Sequence, residues 1–245
     1  MLTWNSSPVD WASGGTDVPV WSAALDQPAE VAQCLYGWLA ADERARANRF
    51  QFERDRRRFI VARGVLRSIV GGYLQLAPDR IAFVYGAQGK PGLAPAHASL
   101  LHFNVAHAHE LGVYAFALNQ AVGIDVEYTL RHVREADQVA QRFFSAYEYE
   151  AYRALAADER RRAFFRCWTR KEAYLKAIGT GLAHALDRFD VTLTPDQPPA
   201  FLSIDGDRLA AQRWSLIHLE PATDYVGAVA IERRAAMPQK PRVAT

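Results

Sequence analysis

The sequence predicts an α/β protein, in the broad sense that includes α+β, made of two similar halves in a pseudo-twofold arrangement. Three observations predict it. Half of the 245 residues are hydrophobic, enough to bury one large core or two small ones. Strand-like and helix-like stretches alternate along the chain. One arginine-phenylalanine pattern also occurs twice. Arg49-Phe50 precedes Arg56-Arg57-Arg58-Phe59 and a helix ending in Ile69-Val70-Gly71, while Arg142-Phe143 precedes Arg160-Arg161-Arg162-Ala163-Phe164 and a helix ending in Ala177-Ile178-Gly179. Both blocks run into strands. A duplicated unit would leave a cleft between its copies, a favoured place for a ligand.

The elements follow in order. Residues 1–16 are polar and rich in Gly and Ser, with Trp4 and Trp11 embedded, and read as an N-terminal arm. The first half spans 17–119. DVPVWSAAL (17–25) reads as a strand and 28–40 as a short helix. Residues 41–74 read as helix with a break near Phe52, and Gly71-Gly72 as its stop signal. IAFVY (81–85) reads as a strand and GAQGKPGL (86–93) as a turn-rich loop. SLLHFNVAH (99–107) and LGVYAFALN (111–119) read as a hairpin. The second half, 120–234, opens with a strand over 121–127 and continues as mostly helix over 135–178. FDVTL (189–193), RWSLIHLE (213–220) and YVGAVAIER (225–233) read as strands, and 235–245 as a flexible tail.

The bulk properties exclude several classes. A formal charge of only +2 does not mark a nucleic-acid binder. Cys34 and Cys167 have no metal-type spacing and read as buried or half-buried thiols of a reducing compartment. The N-terminus lacks a basic region followed by an apolar run, and no stretch is apolar enough to span a bilayer. The expectation is a soluble, cytoplasmic protein.

Two stretches carry chemistry. In VGIDVEYTLR (122–131), Val122, Ile124 and Val126 fall on one face of a strand, and Asp125 and Glu127 fall side by side on the other. Two such carboxylates repel unless a positive group lies between them. In FFRCWTRKEAYLKAIGTGL (164–182), Phe164, Trp168, Leu175 and Ile178 fit one apolar helical stripe, and Glu172 and Lys176 share a face. Alone, that pair reads as a surface ion pair worth ~0.3–0.5 kcal/mol. Together the stretches offer three hard carboxylates, Asp125, Glu127 and Glu172, of the kind Mg²⁺ prefers. Lys176 would then face a phosphate or leaving group. His102, His107 and His109 make a poor zinc signature.

The pair GIDVE (123–127) and WTRKEAYLK (168–176) resembles the signature of the Sfp-type phosphopantetheinyl transferases, G-[IV]-D-[IV]-E then W-x-x-K-E-[AS]-x-x-K some forty residues on. Gly89-Lys90-Pro91, FNVAH (103–107), RFFSAYEY (142–149) and RRFIVARGVLRSIV (57–70) are also similar, and the resemblance spans about residues 17–233. The KEA form resembles the subgroup tied to general or secondary-metabolite carrier proteins.

The resemblance implies an enzyme. It would move the 4′-phosphopantetheine arm of coenzyme A onto a serine of an acidic acyl or peptidyl carrier protein, with Mg²⁺ (or Mn²⁺), and release 3′,5′-ADP. It implies that Asp125, Glu127 and Glu172 hold the metal. Lys176 would meet the pyrophosphate. His107, Lys90, Arg58 and Arg63 would contact coenzyme A, the two arginines through a phosphate. For Lys171 a salt bridge and a phosphate contact both stand. For Glu148 a base acting on the carrier serine and a helix surface charge both stand. The first half would bind coenzyme A, and the second the metal and the carrier. RFFSAYEYEAYRAL would dock the carrier, with Phe143, Phe144 and Tyr147 either anchoring it or packing in the core.

The chain departs from the family in places. Ala106 stands where many relatives carry serine, the early basic residues Arg44, Arg46 and Arg49 have no fixed one-to-one match, and residues 1–16 have no counterpart. Two rival functions remain open: a Mg²⁺-dependent nuclease using an acid-acid-lysine site, and a binding module without turnover. No nucleic acid or membrane partner is expected, and two halves in one chain suggest a monomer.

Overall fold

The computed structural model describes residues 18–86, 89–133, 135–180 and 186–234. The expected N-terminal arm, with Trp4 and Trp11, and the expected tail lie outside them. The first half runs β1 (Val20–Ala24), α1 (Ala29–Trp38), α2 (Ala41–Ala47), α3 (Glu53–Leu74), β2 (Phe83–Tyr85), β3 (Pro91–Leu93), β4 (Leu101–Ala108) and β5 (Leu111–Leu118). The second runs β6 (Val122–Tyr128), α4 (Ala136–Phe143), α5 (Ala146–Ala154), α6 (Ala157–Ile178), β7 (Phe189–Val191), β8 (Phe201–Ile204), α7 (Arg208–Gln212), β9 (Trp214–Leu219) and β10 (Tyr225–Glu232).

The order repeats. Each half opens with a strand, passes through short helices into a helix of 22 residues, makes a two-stranded sheet, and closes with two strands. The last strand of each half pairs with the first, giving sheets β1-β5-β4 and β6-β10-β9. All named strand pairs are antiparallel, so the α+β form of the expectation holds.

Strand alternation builds the layers. On β5, Tyr114 and Phe116 face the core under α3, while Val113, Ala115 and Ala117 face the other sheet. On β10, Val226, Ala228 and Ala230 face α6, while Val229 and Ile231 face the first half's sheet. Three cores result: one under each long helix and one where the sheets meet. On β6, Val122, Ile124 and Val126 join that middle core. Gly123, Asp125 and Glu127 are thereby turned toward α6. Among the described residues no helix is long and apolar enough to cross a membrane.

Some local expectations need correction. Gly71-Gly72 does not stop α3. The helix runs on to Leu74 and is closed by Gln75 in the left-handed region (φ 56°). Gly71 is needed because the chain folds back there: Leu76 N donates to Gly71 O at 2.9 Å, and a Cβ on Gly71 would lie 2.6 Å from Leu76 O. The loop over 86–93 contains β3, and β8 and α7 had no strong periodic signal. Cys34 is exposed, while Cys167 is buried.

Candidate active site

A cavity of about 390 Å³ lies between the halves. The first half contributes Arg46, Phe59, Arg63, Lys90, Asn104 and His107, among others, and the second contributes Glu172, Leu175, Lys176 and Gly179.

The close approach of β6 to α6 sets its geometry. A Cβ on Gly123 would lie 2.1 Å from Ala173 O and 2.4 Å from Ala177 N, so only glycine lets strand and helix backbones touch. Asp125 is two residues along the same strand face and Lys176 lies near the end of the helix. Lys176 Nζ donates to Asp125 Oδ1 at 2.6 Å. Asp125 is buried, and its Oδ2 has no hydrogen-bond partner. Glu127 is held by Arg131, which donates from Nε to Oε2 at 2.7 Å and from Nη2 to Oε1 at 2.8 Å. The positive groups beside the paired carboxylates are therefore the chain's own Lys176 and Arg131.

The carboxyls of Asp125, Glu127 and Glu172 all sit above their usual pKa range. Burial is the leading cause in each. For Asp125 the next effect is the opposing pull of Lys176. For Glu172 it is repulsion from Asp125, with a smaller push from Glu127. The three are thus one electrostatic unit. Among the described residues, however, no group of three His, Cys, Asp or Glu is gathered closely enough to hold a metal ion. The donor set still suits a hard cation: carboxylate oxygens throughout, one of them buried without a partner.

The cationic wall comes from α2, α3, β4 and the loop before β3. Arg63 is buried against Phe59, Phe83 and Tyr85, and its Nη2 donates to the Tyr85 hydroxyl at 3.2 Å. Its Nη1 is buried without a partner. Arg46 lies over the Phe59 ring. His107 stands at the rim, its pKa lowered by desolvation first and then by Lys176 and Arg46. Asn104 is buried, and its Oδ1 accepts from Ile124 N at 2.9 Å across the halves.

Lys90 reaches from the first half to the end of α6. Its ammonium donates to Lys176 O at 2.5 Å and is within reach of Ala177 O (3.4 Å) and Val122 O (3.3 Å). It thereby satisfies carbonyls that a helix C-terminus leaves open. Burial pulls its pKa to about 8, so it is still mostly protonated near neutral pH. It lines the cavity, but its donors are committed to the chain and not directed to a nucleotide.

Three other expected site residues, Arg58, Lys171 and Glu148, are not among those lining the cavity. Five residues on a helix turn about 140°, so Arg58 and Arg63 cannot face the same way. Arg58 instead forks both oxygens of Asp26 at 2.6 Å, holding that carboxyl below its usual range. The same arithmetic separates Lys171 from Lys176. Lys171 is buried, donates to Leu186 O and Phe189 O at 2.6 Å each, and pairs with Glu148 at 2.7 Å. It is the salt-bridge alternative that holds. Glu148 is neither a surface charge nor placed to meet a carrier serine. It is fully buried and accepts from Ser145 N at 2.9 Å and Val191 N at 2.8 Å.

Arg46, Phe59 and Tyr114 of the cavity lining escaped the sequence reading. Arg46 shares its stretch with Arg44 and Arg49, and the two aromatics have the pattern of ordinary core residues. Of the expected carrier anchors, Phe144 is buried, Phe143 packs edge-on against Trp168, and Tyr147 is half exposed.

Comparison with known proteins gives the family of the chain. Residues 121–230 match the family described as the 4′-phosphopantetheinyl transferase superfamily, and residues 21–118 match the family described as 4′-phosphopantetheinyl transferase, N-terminal. The chain is 42% identical to 4′-phosphopantetheinyl transferase HetI of Nostoc sp. over 94% of its own length and 93% of the relative's. It is 30% identical to 4′-phosphopantetheinyl transferase Sfp of Bacillus subtilis over 72% of its length and 77% of the relative's. A solved structure titled "Chronobacterium ammoiniagenes apo-ACPS structure" aligns with 47% of this chain and 98% of its own, at 17% identity and a TM-score of 0.35. With both halves matched to the family and a near full-length relative at this identity, the chain belongs to the 4′-phosphopantetheinyl transferases, of the Sfp type.

Proposed function

We propose that the cavity between the halves binds coenzyme A, and that Asp125, Glu127 and Glu172 hold a divalent cation, Mg²⁺ or Mn²⁺, at its edge. As a family member the chain is an enzyme that moves the 4′-phosphopantetheine arm of coenzyme A to a serine of a carrier protein. One observation supports the siting above the others. Arg63 lines the same cavity as Glu172 and Lys176, and its buried Nη1 has no hydrogen-bond partner. A buried donor of this kind is costly unless a ligand meets it.

In the reaction the serine oxygen forms a bond to the phosphorus bearing the pantetheine arm, the bond to 3′,5′-ADP breaks, and the serine proton passes to a water molecule. The cation, when bound, would polarise the pyrophosphate and offset its developing charge. Arg63 and Arg46 orient the phosphates. Lys176 exchanges Asp125 for the pyrophosphate and steadies the departing ADP. His107, with its lowered pKa, is neutral near pH 7 and donates one N–H to a phosphate. Lys90 holds the end of α6, and with it Lys176, in place. An acidic carrier suits the exposed arginines of α4 and α5, Arg142 over the Phe143 ring and Arg153 over the Tyr149 ring. One chain supplies both walls of the cavity, which supports a monomer, and the near-neutral charge argues against nucleic acid.

The test is intact-protein mass spectrometry on protein, coenzyme A, Mg²⁺ and a panel of apo carriers. A phosphopantetheine mass gain on a carrier, dependent on Mg²⁺ and lost in Glu172→Ala, is expected. Retained transfer in Glu172→Ala would remove that residue from the metal site. Arg63→Gln is expected to raise KM for coenzyme A at least tenfold with a smaller change in kcat, since a charge-assisted hydrogen bond is worth about 1.5–3 kcal/mol. Steady-state kinetics checks this, and an unchanged KM would take Arg63 out of the coenzyme A site.

A further inference from the structure

Arg131 is the residue next to the reaction site whose position the assigned roles leave unexplained. After β6 the chain turns: Thr129 N donates to Asp224 O at 2.7 Å and Arg131 N to Tyr128 O at 3.1 Å. The turn folds Arg131 back over the strand it has just left, onto Glu127. The turn is itself anchored by α6. Arg161 donates from Nε to Thr129 O at 2.6 Å and from Nη2 to Arg131 O at 3.0 Å. The Arg131 guanidinium also lies 5.2 Å from the centre of the Phe165 ring. Phe165 and Glu172 are seven residues apart, two turns of one helix face. Arg131 therefore sits on a fixed aromatic platform at the edge of the acidic trio, and its side chain is 41% exposed.

A forked guanidinium occupies both oxygens of Glu127. A cation binding that carboxylate competes with the guanidinium for its charge and weakens those bonds. Asp125 has a competitor too, but Lys176 lines the cavity and has a phosphate to move to. Arg131 does not line the cavity. Once displaced, it is left at the exposed rim, still beside Phe165, with an unpaired charge. Arg160 and Arg161 are bonded to backbone carbonyls and not to carboxylates, so they add positive charge to that side of the chain.

We propose that Arg131 is a metal-released docking residue: it neutralises Glu127 until the divalent cation binds, then pairs with an acidic side chain of the incoming carrier protein. Metal and carrier binding are thereby coupled through one side chain. This rests on the metal and carrier assignments above.

The experiment uses the full-length protein without coenzyme A, so that no transfer occurs. Mn²⁺ affinity is measured by calorimetry, and the affinity for a purified apo acyl carrier protein is measured with and without Mg²⁺. In the wild type, Mg²⁺ is expected to tighten carrier binding about threefold to tenfold, the range of a half-exposed charged contact. In Arg131→Gln, Mn²⁺ is expected to bind several-fold tighter, and carrier affinity is expected to lose its dependence on Mg²⁺. Arg131→Lys should restore that dependence in part. If wild-type protein binds Mn²⁺ but Arg131→Gln binds it no better, or still shows the full Mg²⁺ effect on the carrier, the coupling is wrong and the metal site stands. If wild-type protein binds no Mn²⁺ at all, the metal assignment falls and the coupling falls with it.

Discussion

Lys171→Ala is expected to lower the unfolding free energy by about 3–5 kcal/mol, the usual cost of removing one partner of a buried ion pair. Lys171 and Glu148 are 1% and 0% exposed, and no solvent reaches either charge. The ammonium is met by the Glu148 carboxylate, two backbone carbonyls and the face of Phe189, whose ring centre is 4.3 Å away. Glu148 in turn closes the N-terminus of α5 through Ser145 and ties that helix to β7 through Val191 N. Burial pushes the Glu148 carboxyl up, and Lys171 and the two N–H donors pull it down. Without Lys171 the carboxylate would have to take up a proton or draw in water, and either would loosen the joint between α5, α6 and β7. Urea unfolding followed by circular dichroism measures the loss. If the variant unfolds like the wild type but binds coenzyme A poorly, Lys171 is a phosphate contact after all. A folded, stable Glu148→Gln that no longer transfers would in the same way return the base role to Glu148.

Gly123→Ala is the second large effect. Overfilling a packed contact costs typically about 1–3 kcal/mol, and this contact belongs at the upper end. The atoms in the way are backbone atoms of α6, at 2.1 and 2.4 Å, and not flexible side-chain tips. The strand would have to retreat from the helix. Asp125 rides on that strand, and Glu172 and Lys176 ride on that helix. A displacement of about 1 Å between catalytic groups can lower a rate roughly a hundredfold. Gly123→Ala should therefore lower both melting temperature and kcat, and a variant with wild-type values of both would show that the backbones can part freely. Gly227→Ala is a useful comparison. Its Cβ would meet Asp125 O at 2.7 Å, from the neighbouring strand and not from the helix.

Much of this was legible in the sequence because the signals were periodic. The alternation of Val122, Ile124 and Val126 with Gly123, Asp125 and Glu127 placed the carboxylates on one face, and the structure turns that face toward α6. The break near Phe52 appears between α2 and α3, and the hairpin over 99–119 pairs as expected. The repeated arginine-phenylalanine blocks led into two helices of equal length with the same strand order around them.

What the sequence hid was direction around a helix once several like charges crowd together. Arg56, Arg57, Arg58 and Arg63 look interchangeable as letters. Only the packing shows that Arg63 enters the cavity while Arg58 meets Asp26, a partner 32 positions earlier. Glu148 was hidden by its neighbours Tyr147 and Tyr149, which suggest a solvated helix. Its counter-ion lies 23 residues on, in another element. Long-range pairs of this kind leave no local pattern to read.

Lys90 has a wider consequence. Its ammonium, the Asn104 side chain and the bond from Arg234 to Leu118 O each join one copy of the repeat to the other, and a shared apolar core lies between the two sheets. Neither copy can come apart without exposing the other's inner face. Although the chain reads as a tandem repeat, it should melt as one cooperative unit, and neither copy should fold as a separate fragment.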